Sequence, residues 1–340
     1  MMIILGFESS CDETSVAVVR ADTTLASGFE ILSNIVATQI DLHAQYGGVV
    51  PEIASRNHMA VIANLTSEAL HQADCTMADI DAIAVTNAPG LIGALLVGVN
   101  FAKTLAYKHD KRLIAVHHLR GHIVAGRMCN PALQPPFLTL LVSGGNTLLV
   151  SCKGDTEYQI LGATRDDAVG EVFDKVARIL GLGFPGGPAI EKAAKLTNPD
   201  TPPLLLPTPK LEGLDMSFSG IKTAFINHVH NLVQQGKAPN AAALSRDFQT
   251  HIVKVLTSRM VDAFERTGYN KWLLCGGVAA NTALRQSLQT AANERECTLT
   301  VPPMSLCGDN AAMIAAAAYY EKTSRIGWDL NACATWEIDM

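Results

Sequence analysis

Two histidines four residues apart, His118 and His122, are the side chains of this 340-residue chain most suited to share a metal ion. On a helix that spacing puts both imidazoles on one face. The chain holds ten histidines, so an ordinary pair of core or surface histidines fits the spacing as well. A zinc protease needs Glu directly after the first His as general base. Leu119 stands there, which disfavours that chemistry. Asp309 follows an expected strand and opens an expected helix, so it reads as an N-cap or as a third ligand. Two imidazoles and a carboxylate with open positions would suit Fe(II) or Zn(II) acting as a Lewis acid.

A second group of residues suits an anionic ligand. Ser143-Gly144-Gly145 follows an apolar strand, and its backbone N–H groups could cradle a phosphate. Gly276-Gly277-Val278 joins a strand to a helix, with Asn281 one turn in, and Phe184 to Pro188 is a rigid glycine turn that backbone or ligand can approach closely. Each is equally a plain turn, and none matches a Walker loop or the dinucleotide fingerprint. Asp166, Asp167, Glu171 and Asp174 open a further helix. The first of these complement the helix dipole; Asp174 lies deeper, where a carboxylate could accept from a ribose or other ligand hydroxyl.

The elements that position these residues follow from hydrophobic pattern. Strands are expected at Ile3 to Phe7, Ser15 to Arg20, Ile31 to Thr38, Asp81 to Thr86, Leu113 to Val116, Phe137 to Val142, Thr147 to Ser151, Trp272 to Cys275 and Thr298 to Val301. Helices are expected at Glu52 to Ala73, Leu91 to Tyr107, Asp167 to Leu180, Ala241 to Arg266, Ala279 to Ala292 and Asn310 to Tyr320, with a surface excursion at Pro202 to Pro209. The segment from Ile4 to Val18 is echoed from Leu140 to Val150: strand, small polar turn, Thr, strand. Two α/β lobes that each begin this way would make a duplicated fold with a cleft between them.

Composition narrows the class. Apolar residues make up 48% and charged residues 17%, which fits a large buried core and excludes a disordered chain. No apolar run reaches the roughly 18 residues of a membrane helix, so no membrane partner is expected, and Glu8 comes too soon for a signal peptide. Eight cysteines without a CxxC pair read as reduced thiols in a cytoplasmic protein. The net charge of −6 argues against wholesale coating of nucleic acid. Lys103, Lys108, Lys111, Arg112, Arg120 and Arg127 leave either a local basic patch or a solvated helix end.

Taken in order, the segments Glu8 to Thr14, Gly47 to Arg56, Pro89 to Gly93, His117 to His122, Val142 to Gly145, Gly170 to Lys175, Phe184 to Pro188, Phe218 to Thr223, Gly276 to Asn281 and Asp309-Asn310 resemble the bacterial tRNA threonylcarbamoyladenosine synthase catalytic-subunit family over nearly the whole chain. The resemblance implies a duplicated actin-like two-lobe α/β fold, with one lobe formed by 1–112 plus 308–340 and the other by 113–307. It implies that His118, His122 and Asp309 hold one Fe(2+) per subunit, Zn(2+) being an alternative. By the same resemblance Leu141, Val142, Ser143, Gly144, Gly145, Asp174, Gly187 and Asn281 bind threonylcarbamoyl-AMP, and tRNA accepts the acyl group. It also implies a complex with a smaller paralogue, TsaB, and an ATPase, TsaE. Asp12 and Glu13 are the candidate general bases. Asn146, Arg120 and Gly308 depart from residues common in bacterial members. With the boundary at 113, the two histidines and Asp309 are expected to meet from opposite lobes.

Overall fold

The computed structural model describes residues 1–25, 28–198, 200–208, 211–321 and 329–339. The chain divides into two compact units. The first comprises Met1–Pro135, Gly154–Tyr158 and Pro302–Met340; the second comprises Pro136–Lys153 and Gln159–Val301.

The first unit opens with β1 (Met2–Glu8), β2 (Glu13–Ala21), β3 (Phe29–Thr38), α1 (Ile40–Ala44), α2 (Pro51–Gln72), β4 (Ala82–Ala88), α3 (Ile92–Lys108), β5 (Arg112–His117) and α4 (His118–Cys129). Its sheet runs β3-β2-β1-β4-β5. β1 pairs antiparallel with β2 and parallel with β4, which is parallel to β5. Both faces are covered, so the strands read as near-continuous apolar runs. Alternation along the strands still sorts the faces. Leu5, Phe7, Val16, Val18, Ile83 and Val85 share one core with Ile62, Val99 and Ala102 of α2 and α3. Ile4, Ala17, Val19, Ala82 and Ala84 face the other way.

The second unit holds β6 (Phe137–Val142), β7 (Thr147–Cys152), β8 (Tyr158–Ala163), α5 (Val169–Ile179), α6 (Gly186–Ala194), α7 (Ser219–Gln234), α8 (Ala241–Thr267), β9 (Lys271–Cys275), a 3-10 turn (Gly277–Ala280), α9 (Thr282–Asn293) and β10 (Thr298–Thr300). Its sheet runs β8-β7-β6-β9-β10, the same order as the first, with β6 antiparallel to β7 and parallel to β9, and β9 parallel to β10. The hairpin echo is thus one part of a full topological repeat. In α8, Leu244, Phe248, Ile252, Leu256 and Met260 are buried at every fourth position. Phe248 packs edge-on against Phe173 and Phe225, and Phe264 against Trp272. Gly268, in the left-handed conformation at φ 69°, ends the helix. Residues 202–208 carry no regular element; Pro209, the end of the expected excursion, lies outside the described residues.

The chain then rejoins the first unit through α10 (Met304–Cys307) and α11 (Ala311–Tyr320). α11 covers the small-residue face of the first sheet, with Ala311, Ala312 and Ala315 to Ala318 all buried in that core. Alanine here lets helix and sheet approach closely. A Cβ on Gly6 would stand 2.6 Å from the Ala311 carbonyl oxygen. A boundary at 113 does not match this packing. β5 is an edge strand of the first sheet, and Val124 and Ala125 of α4 share a core with α11. No helix among the described residues is long and apolar enough to cross a membrane.

Candidate metal centre

β5 ends at His117, and α4 starts with the next residue. The His117 side chain caps the helix by accepting from the Leu119 N–H, while its Nε2 donates to the Trp336 carbonyl at 3.0 Å. Burial lowers its pKa to about 4, so it stays neutral in this role. His118 and His122 then fall on one face of α4, their rings 4.8 Å apart. Asp309 enters from the turn between α10 and α11. Asn310, not Asp309, caps α11 by accepting from the Met313 N–H at 3.0 Å. That leaves the Asp309 carboxylate to face the imidazoles. His118 Nε2 lies 3.5 Å and His122 Nε2 3.2 Å from Asp309 Oδ1. All three residues belong to the first unit, rather than to opposite lobes as expected.

The group fits a divalent cation. The three ligand atoms lie within 4.8 Å of one another. Donors each roughly 2.1 Å from a shared ion lie roughly 3.0–3.4 Å apart at octahedral or tetrahedral angles. His122 is fully buried, and neither ring nitrogen has a hydrogen-bond partner among the described residues, although Nε2 lies 3.2 Å from Asp309 Oδ1. Such an orphan is costly unless a ligand takes it up. Electrostatics point the same way. Burial alone would depress the His118 pKa, but the Glu8 and Asp309 carboxylates raise it well above its usual value. Burial alone would raise that of Asp309, but His118 and His122 hold it well below the usual carboxylate range. A positive charge belongs between these residues, carried by the His118 proton or by a metal that replaces it.

Sequence reasoning passed over Glu8. It ends the apolar run of β1, is 1% exposed, and meets His118 Nδ1 at 2.9 Å. A carboxylate at the buried end of such a strand was the available signal. The candidate base Asp12 is buried nearby in sequence. Burial, then the Asp309 and Asp12 carboxylates, push Glu13 up to about 9, so without a cation it holds its proton at neutral pH.

The residues expected to hold an anionic ligand lie in the second unit. Leu141 and Val142 are buried in β6. Ser143 to Asn146 form the turn to β7, closed by Ser143 N–H donating to the Asn146 carbonyl and Asn146 N–H to Ser143 Oγ. A Cβ on Gly144, Gly145 or Gly187 would meet nothing within 4 Å, so crowding does not demand glycine there. The neighbours are different. A Cβ on Gly170 would sit 2.6 Å from the Ser143 carbonyl oxygen, and one on Gly276, at φ 91°, would sit 2.3 Å from that of Val142. The starts of α5 and of the 277–280 turn therefore press against the Val142–Gly144 segment. Asp174 accepts the Gly186 N–H at 2.7 Å and so fixes the 184–187 turn. Asn281 caps α9 through Leu284 N–H and donates to Gln249. Asp166 accepts from Ser217 Oγ and the Phe218 and Ser219 N–H groups at the start of α7, and Asp167 pairs with Lys175 and Lys222.

Two of the basic residues do not join a solvated patch. Arg127 pairs with Asp155 at 2.8 Å and lies over the Tyr320 ring. Arg120 donates twice to the Ile338 carbonyl, pairs with Glu321 and lies over Tyr158.

Known proteins share this fold and, more closely, this sequence. The solved HypF of T. kodakarensis superposes with a TM-score of 0.61 at 14% identity, covering 94% of this chain and 48% of that one. Component A of the (R)-2-hydroxyglutaryl-CoA dehydratase of Acidaminococcus fermentans gives 0.54 at 15% identity, covering 94% and 99%. At such identities the likeness concerns the fold, which is the duplicated actin-like α/β fold. Much nearer in sequence is the tRNA N6-adenosine threonylcarbamoyltransferase of Listeria innocua, 49% identical over 336 residues, 97% of this chain and 95% of the relative. The protein of the same name from Acaryochloris marina is 51% identical over 324 residues, 93% and 88% of the two chains. The family model described as tRNA N6-adenosine threonylcarbamoyltransferase matches residues 30–316, and the chain belongs to that family.

Proposed function

We propose that this protein transfers the threonylcarbamoyl group of threonylcarbamoyl-AMP to N6 of adenosine 37 in transfer RNAs that read codons beginning with adenine, releasing AMP. The observation that carries this reading is identity of 49% across 97% of the chain to a curated transferase of that name. The buried His118, His122 and Asp309 group, with spacings suited to one ion, supports it.

The donor is a mixed anhydride and is already activated. The N6 nitrogen bonds to the carbamoyl carbon, the bond from that carbon to the phosphate oxygen breaks, AMP departs, and N6 loses a proton. The N6 amine is delocalised into the purine ring, so orientation and charge stabilisation matter more than a protein nucleophile. The open Gly144-Gly145 turn and the start of α6 at Gly187 would present backbone N–H groups to the donor phosphate. Asp174 and Asn281 would hold those turns in place, and Leu141 and Val142 would form the apolar floor. Asp12 is the candidate for taking up the N6 proton, with Glu13 able to serve once a cation offsets its neighbours' charge. His118, His122 and Asp309 would hold iron(II), or zinc(II), which when bound supplies Lewis-acid charge.

The accepting base lies in a loop and can be splayed from its stack. The smaller paralogue TsaB and the ATPase TsaE remain the proposed partners, carried by the family resemblance. None of the eight cysteines forms a disulfide, which supports a reducing compartment, the cytoplasm, as its location. The test is modification of unmodified tRNA by the purified chain with those partners and ATP, with threonylcarbamoyl-AMP supplied as donor, read by nucleoside mass spectrometry. Threonylcarbamoyladenosine is expected; its absence, with a known family member active in parallel, would overturn the reading.

A further inference from the structure

We infer that Glu8 is a positioning residue of the metal centre, fixing the ring of His118 so that Nε2 is the ligand atom. The inference rests on the proposal that His118, His122 and Asp309 hold a cation.

The hydrogen bonds around Glu8 leave little freedom. Glu8 Oε1 accepts from the Ser10 N–H at 2.5 Å, and Oε2 accepts from Thr86 Oγ1 at 2.6 Å. His118 Nδ1 lies 2.9 Å from the same Oε2 and 3.2 Å from Ser10 Oγ. The carboxylate is almost fully buried, and its other two neighbours are donors, so His118 Nδ1 must carry the proton that it donates to Glu8. Nε2, which faces Asp309 at 3.5 Å, is then the ring atom left to bind a cation that displaces its proton. A carboxylate that orients a ligating imidazole also makes it a better donor, and loss of such a partner costs about 10–100-fold in metal affinity.

The frame holding Glu8 is equally fixed. Thr86 is fully buried in β4, beside β1. The Ser10 carbonyl accepts from the Leu91 N–H at 2.8 Å, and a Cβ on Gly90 would stand 2.6 Å from that oxygen. The 9–12 turn, the end of β4 and the start of α3 therefore lock the carboxylate before any cation binds. His122 has no such support, since its Nδ1 lacks a hydrogen-bond partner among the described residues. The two imidazoles are unequal: His118 is anchored through Glu8, and His122 is placed by α4 alone.

The test uses cobalt(II) as probe on the metal-stripped full chain, with affinity from titration and ligand geometry from the visible absorption bands. Glu8→Gln keeps the shape and removes the charge. It should weaken cobalt binding about 10–100-fold and alter the bands, with the metal-free fold retained. In a His118→Ala background the same change should cost nothing further, because Glu8 acts through His118. Thr86→Val, which removes one donor to Glu8, should weaken binding in the same direction by a smaller factor and serves if Glu8→Gln does not fold. Wild-type affinity and unchanged bands in Glu8→Gln, additive losses in the double variant, or an unaffected Thr86→Val would each overturn the inference. A wild-type chain that takes up no cobalt would overturn the metal centre itself, a separate failure.

Discussion

Asp309 Oδ1 stands 3.2 Å from His122 Nε2 in a site where the capping of α11 is left to Asn310. The proposed ligand and the cap are thus divided between adjacent residues. Asp309→Asn should leave the α11 cap and the far-UV circular dichroism unchanged. It should reduce bound metal, measured by plasma mass spectrometry, to a small fraction of one per chain, and transfer to tRNA should fall with it. Unchanged metal content would show that the carboxylate is no ligand.

Gly6 faces α11 where there is no room for a methyl group. Gly6→Ala should destabilise the protein by about 1–3 kcal/mol through overpacking, measured as the denaturant midpoint at constant slope. Because Asp309 lies two residues before α11, metal affinity should drop as well. An unchanged midpoint would mean that the helix can move away at no cost.

Arg120 ties Ile338 and Glu321 to α4. Arg120→Ala leaves a carbonyl and a carboxylate without this partner and should cost about 1.5–3 kcal/mol. Limited proteolysis should cut the segment around 329–339 sooner than in the wild type. Lysine cannot reproduce the two-pronged contact, so Arg120→Lys should recover only part of the loss.

His58 supplies a pH dependence whose sign is fixed by its surroundings. Burial lowers its pKa; Glu8 and Asp12 pull it upward by less. Its Nε2 donates to the Cys11 carbonyl at 3.0 Å and its Nδ1 lies 2.7 Å from Thr14 Oγ1, an arrangement that suits the neutral ring. The unfolded chain therefore binds the proton more readily. Stability is unaffected by this group above the ordinary value of about 6.5. Below it, stability falls by at most about 1.4 kcal/mol per pH unit until the folded-state pKa is reached. His58→Gln should flatten the slope of unfolding free energy against pH just below 6.5; an identical slope would remove His58 as its source.

Gly170 tests the proposed anion-binding turn without touching it chemically. Gly170→Ala should push the Ser143–Gly145 turn away from α5 and weaken binding of AMP, as product, by about tenfold, equivalent to about 1.4 kcal/mol. Calorimetric titration should show the loss while cobalt affinity in the first unit stays as before. Equal AMP binding would separate this turn from the donor site.

The readability of this chain depended on how local each feature was. Strands such as Phe137–Val142 and helices such as Ala241–Thr267 carry their period in adjacent residues and were legible, with ends off by a residue or two. α4 is hard to see in the sequence, because its glycines, arginines and histidines hide an apolar face, although the four-residue spacing of its histidines is plain. Asp309 reads as a cap or as a third ligand until the family resemblance is added, since nothing local distinguishes the two. The unit boundary was placed too early because β5 and α4 show no break in composition; hydrogen bonding to β4 decides where they belong. Glu8 was missed because its partners Thr86 and His118 are distant in sequence.

The first unit is stitched from stretches at both ends of the chain, and this sets an order for its birth on the ribosome. Its strands and the paired imidazoles emerge early. The alanine-rich helix that roofs one face of the sheet, and the carboxylate that would complete the proposed ion's surroundings, arrive only after the whole second unit has been made. Until then Ile4, Val19, Ile114 and Val116 lack that cover, and a nascent chain stalled before residue 302 should be a client for chaperones and unable to load metal.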